Sequence, residues 1–134
     1  MKLRPRLVPS IMQLSFGKKE VSGKEKWQVE HGRRVVNVEL WESVGLCVHA
    51  YNDTFEMDKK WRVSHMESGR AVLQHMKDRE QAIKYMMIVK EWKSVEGIQV
   101  NWKMTVKQFD QLHYREEIIG MIRGLQKKIS GERR

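Results

Sequence analysis

Trp61–Trp92, WRVSHMESGRAVLQHMKDREQAIKYMMIVKEW, holds two alternating runs about a turn, followed by a capped helix. Glu67-Ser68-Gly69 separates the runs. A three-residue hairpin loop needs its last residue at positive φ, which glycine adopts without a Cβ clash. With Gly69 in that place, the spacing pairs Met66 with Arg70, His65 with Ala71, Val63 with Leu73 and Trp61 with His75. Trp61, Val63, Ala71 and Leu73 then share an apolar face. Arg62, Ser64, Arg70 and Gln74, with Val72 among them, take the other. A one-residue slip in one strand exchanges its two faces, so the reading rests on the turn.

Asp78 stands three residues before Gln81, the spacing of an N-cap whose partner reaches back to it. The spacing predicts a helix over about 79–92. Ala82, Met86 and Val89 line one stripe with Ile83 and Met87 beside it, so hairpin and helix can share a core.

Working outward, residues 34–51 predict a second hairpin of the same build, with Ser43-Val44-Gly45 as its loop. Pairing then sets Trp41 against Cys47, Glu39 against His49 and Asn37 against Tyr51, and these six form one face. Val36, Val38, Leu40, Leu46, Val48 and Ala50 form the opposite, core-facing side. Alternation predicts further strands near 11–16 and 27–31, with residues 17–25 as a loop. Ile98, Val100 and Trp102 predict a short strand or extended linker. Thr105 and Gln108 repeat the capping pattern and predict one long helix over about 106–129, with Ile118, Ile122, Leu125 and Ile129 on its inner stripe. Phe109 and Leu112 start that stripe a little to the side. The expected fold is α+β: an antiparallel sheet of about four to six strands built from two hairpins, a mid-chain helix and a long C-terminal helix. The expected domain organisation is one domain over 1–134, with an irregular basic arm at 1–10 and a frayed basic tail at 130–134.

Composition narrows the function. No apolar run approaches the roughly 20 residues that span a bilayer, and the N-terminus lacks the apolar stretch of a signal peptide. One cysteine, Cys47, excludes an internal disulfide and suits a reducing, cytoplasmic setting. The net charge is +9 and belongs to the two ends. Residues 1–34 hold nine Lys/Arg against three Glu, and residues 123–134 hold five against one. The 88 residues between them hold twelve against thirteen acids, a net of −1. Basic ends about a near-neutral body suit polyanion binding, and equally suit plain solubility.

The expected function is therefore non-enzymatic nucleic-acid binding, single-stranded DNA or RNA favoured. Trp41, His49 and Tyr51 would stack on bases, with Arg62 and Arg70 beside them on phosphates. Lys2, Arg4, Arg6, Arg123, Lys127 and Lys128 would add salt-dependent affinity. The competing reading has the long C-terminal helix covering that aromatic face as a second core. Two alternatives follow: a small basic adaptor or inhibitor docking on an acidic partner protein, and a metal-independent ribonuclease using His65 or His75. No metal set, cofactor motif, phosphate loop or nucleophile elbow is present in the sequence. The C-terminal helix, with Gly120 and Gly124, is a candidate homodimer contact. In element order alone, without a shared motif, two hairpins and then a helix resemble the single-strand-binding folds of the Whirly type.

Overall fold

A computed structural model of the chain describes residues 5–13, 20–21, 25–26, 35–52 and 59–132. The long strands are β1 (Leu7–Gln13), β4 (Val35–Trp41), β5 (Leu46–Asn52), β6 (Lys59–His65) and β7 (Arg70–Met76). Two short ribbons, β2–β3 (Glu20–Val21, Glu25–Lys26) and β8–β9 (Ser94–Val95, Ile98–Gln99), accompany them, with helices α1 (Arg79–Lys90), α2 (Val106–His113) and α3 (Glu116–Glu132). The long strands form one antiparallel sheet in the order β1-β4-β5-β6-β7, so the α+β class read from the sequence holds. Strand β1 starts at Leu7, inside the stretch expected to be an irregular arm, and β2–β3 falls where a loop was expected. The expected strand at 27–31 lies outside the described residues.

Both hairpin loops are one residue longer than their glycines suggested. Gly45 and Gly69 do take positive φ, +89° and +71°. Each donates its N–H across four residues, to Trp41 O at 2.8 Å and His65 O at 2.9 Å, closing loops over 42–45 and 66–69. Trp41 therefore opposes Leu46, and Leu40 opposes Cys47. The slip moves Trp41 and Glu39 onto the side of Leu46 and Val48, away from Cys47 and His49. In the central hairpin Val63 opposes Leu73 as expected, but His65 opposes Arg70 and Trp61 opposes Met76. Irregularities in β7 on both sides of Leu73 produce these shifts, and His75 sits in one at φ +64°.

One face of the sheet carries the main core. Leu46, Val48, Val63 and Leu73 meet Ala82, Met86 and Val89 of α1, then Trp102, Phe109, Leu112, Ile118 and Ile129. The Asp78 carboxylate caps α1 by accepting from Gln81 N at 2.8 Å. Thr105 and Gln108 make the reciprocal capping box that starts α2. The expected single C-terminal helix is two helices, with a break at Tyr114-Arg115. Leu112 and Ile118 are six residues apart, about 240° around one continuous helix, so both reach the core only if the axis is interrupted. Glu117 N then donates to the Glu96 carboxylate at 2.9 Å, and Glu96 N to the Glu117 carboxylate at 2.8 Å, fixing the start of α3 on the β8–β9 turn.

The edge at β7 is closed. Gln126 of α3 accepts from Gln74 N at 2.6 Å and donates to Gln74 O at 2.9 Å, so its amide occupies the place of a neighbouring strand. Glu132 ties the far end of α3 to α1 through Gln81 and Lys84, at 2.9 and 2.8 Å. Those two partners and Tyr85 hold its carboxyl down at about 2, with Lys84 the largest influence.

Candidate nucleic-acid interface

The aromatic sheet face expected from the sequence is not assembled. Trp41 is half-buried against the main core, and Lys90 of α1 lies over its ring at 5.5 Å. Glu39, expected opposite His49, instead receives a two-pronged contact from Arg79 at 2.6 and 2.9 Å. Trp41 thus belongs to the main core beside α1, and not to a second core under the C-terminal helix on the face of Cys47 and His49. Trp41→Ala is expected to destabilise the fold by about 2 kcal/mol, less than a fully buried aromatic, as read from urea unfolding.

Arg62 stands opposite His49 on the reverse face of the sheet. Arg70 stands opposite His65 on the helix side and forms an ion pair with Asp110 of α2. Arg62 and Arg70 therefore point to opposite faces. Tyr51 pairs with Lys60 in the backbone ladder, and its side chain lies outside the described residues, as do Lys2 and Arg4. Arg6 is exposed just ahead of β1.

The groups with chemical potential are sealed. On the reverse face, His49 Nε2 lies 2.9 Å from Ser64 Oγ, and His49 Nδ1 lies 3.4 Å from Ala50 O. A carbonyl only accepts, so the proton belongs on Nδ1 and Nε2 accepts from the serine hydroxyl. This is the geometry of a nucleophile and its base, yet His49 is 1% exposed and Ser64 0%. Burial, with Arg62 nearby, pushes the His49 imidazole down to about 4. Cys47 is buried next to them, within 3.6 Å of Met12 Sδ and Ser64 O, and burial pushes its thiol up to about 12. Such a thiol is no nucleophile at neutral pH. Nothing in the strand pattern singled out Ser64, because its role depends on a cross-strand partner.

His65 is as closed on the other face. Its Nε2 donates to Met104 O at 3.1 Å, its Nδ1 accepts from Ser68 Oγ at 2.8 Å, and Phe109 stacks on its ring at 4.4 Å. Burial lowers its pKa. His75, expected beside it on the apolar face, is exposed. His65 lies opposite Arg70 beside the loop, and His75 lies next to Met76 towards the other end of the hairpin. Among the described residues no three His, Cys, Asp or Glu side chains come together as a metal site, and no helix is long and apolar enough to cross a membrane.

What stands open is the outer face of α3. Ile118 and Ile129 are buried beneath the helix, whereas Gly120, Arg123, Gly124, Lys127, Lys128 and Gly131 are exposed. Arg123 and Lys127 are four residues apart and so neighbours on one face, with Lys128 across the glycines. Glu116 and Glu117 stand in the first turn, where they complement the helix dipole, and Glu132 at the other end is taken up by Gln81 and Lys84 of α1. Among the described residues none of the three cations has an ion-pair partner, in contrast to Arg70, Arg79 and Lys84. Of the residues expected to bind, these three share one surface. No family model, curated protein or solved structure matches the chain.

Proposed function

We propose that the protein is a non-enzymatic nucleic-acid-binding protein that grips the phosphate backbone with the outer face of α3. The observation that supports this reading is the group Arg123, Lys127 and Lys128, exposed and without an acidic partner among the described residues, on a helix seated by Gln126, Ile118 and Ile129. A seated helix presents its charges without first having to order, which favours tight binding per contact. Arg6, ahead of β1 at the other edge of the sheet, adds only long-range attraction to this surface. Trp41 takes no part in base stacking, so affinity is expected to depend on backbone charge more than on base identity.

Fluorescence anisotropy with single-stranded and duplex oligonucleotides over a salt series tests the reading. Each phosphate contact contributes about 0.7 to the logarithmic salt slope on single strands and about 0.9 on duplex DNA. Arg123→Gln/Lys127→Gln/Lys128→Gln is expected to flatten the slope by about 2 to 3. An unchanged slope, or specific capture of an acidic protein in the place of nucleic acid, overturns it.

A further inference from the structure

The two edges of the sheet are treated differently. At β7 the ladder is irregular on both sides of Leu73, and the amide of Gln126 occupies the backbone of Gln74. At β1 seven consecutive residues pair with β4 without irregularity, and among the described residues nothing pairs with its outer side. Natural edge strands are commonly guarded by charge, bulges or proline. The strand LVPSIMQ has no charged residue, and Pro9 is its one guard.

The helix layer also stops short of this edge. Its last polar tie to β4 is the Arg79–Glu39 contact. Beyond it, on the same face, Ile11 is 64% exposed and Val35 61%. Ile11 opposes Asn37 and Val35 opposes Gln13, which places the two apolar side chains on a diagonal of one face. Unpaired backbone and uncovered apolar surface coincide there.

We propose that β1 is a self-association edge, at which a second copy of the chain adds its own β1 antiparallel and joins two five-stranded sheets into one. A two-fold axis at Ser10 keeps all seven residues of each strand in register and sets Ile11 opposite Pro9 of the other copy. The charge pattern selects this occupant. An acidic partner would be drawn to the cations of α3 beside the far edge, whereas an uncharged strand meets its own copy without repulsion. Arg6 lies outside the paired segment, so the two copies' Arg6 side chains end far apart. Pro9 removes one donor from each strand and leaves the remaining backbone groups for pairing.

Sedimentation velocity across a wide concentration range, on the full chain, tests this. The wild type is expected to show a concentration-dependent dimer. Ile11→Lys, at an exposed position of the edge strand itself, is expected to weaken it at least about tenfold with an unchanged circular dichroism spectrum. Ser10→Cys is expected to yield a covalent dimer on mild oxidation, since directly opposed Cα atoms lie within disulfide reach. Native Cys47 is buried and does not compete. A wild type that stays monomeric at every concentration overturns the proposal. So does a dimer that Ile11→Lys leaves intact, or one that dissociates only in Gly124→Arg on α3.

Discussion

Gly45→Ala is expected to lose at least about 3 kcal/mol of stability, a steep effect for a single added methyl group. Two penalties combine. The residue sits at φ +89°, where a Cβ costs about 1–2 kcal/mol. A Cβ there would also stand 2.6 Å from Trp102 O and 2.9 Å from Trp102 C. Both are backbone atoms, and Trp102 is held by its own indole N–H donating to Val89 O at 3.1 Å, so the segment yields only by disturbing the main core. Gly97 is the control. It has a similar φ, +79°, but open space where its Cβ would be. Gly97→Ala is expected to lose only the conformational part, about 1 kcal/mol. Urea midpoints of the two variants measure the difference, and equal losses would mean that the 42–45 loop does not rest on the Trp102 backbone.

The second large effect is acid sensitivity from the buried histidines. His49 titrates near 4 in the fold, against 6.5 for an unhindered imidazole, chiefly because burial disfavours its charged form. Between those values the unfolded chain binds a proton that the folded chain refuses. Stability is therefore complete above about pH 6.5 and falls as pH drops toward 4. A shift of this size corresponds to about 3 kcal/mol. His65, also lowered by burial, adds a loss of the same sign. Glu132 takes effect lower, its contribution being lost as pH falls from the ordinary carboxyl range toward 2. His49→Gln keeps a partner for the Ser64 hydroxyl and cannot charge. It is expected to flatten the fall between pH 6.5 and 4, as measured by urea unfolding at a series of pH values; an unaltered profile would contradict a buried neutral His49.

Much of the scaffold could be read from residues whose role is local. Asp78 and Thr105 cap helices because a side-chain oxygen near free N–H groups needs no tertiary information. Gly45 and Gly69 mark turns because few other residues take positive φ readily. The same glycines left the register open: a left-handed residue can end a three-residue or a four-residue loop, and the two differ by one position in the pairing. That position decided the candidate site, since it carried Trp41 beneath α1 while His49 went to the reverse face. The irregularities in β7 were hidden for a related reason, because His75 at positive φ carries no glycine signal. The break at Tyr114-Arg115 left a trace, in that Phe109 and Leu112 start off the line of Ile118, Ile122, Leu125 and Ile129. The cations of α3 were visible as composition, but that no ion pair engages them among the described residues emerged only with tertiary structure.

A salt series of nucleic-acid affinity for the wild type, Trp41→Ala and Arg123→Gln/Lys127→Gln/Lys128→Gln, with each variant's unfolding curve, bears most directly on whether the binding surface is α3 or the sheet. Trp41→Ala is expected to lose stability and keep the wild-type slope, while the triple variant keeps its stability and loses about 2 to 3 of the slope. A triple variant that binds as the wild type does, or a Trp41→Ala protein that folds with undiminished stability yet no longer binds, would contradict the account.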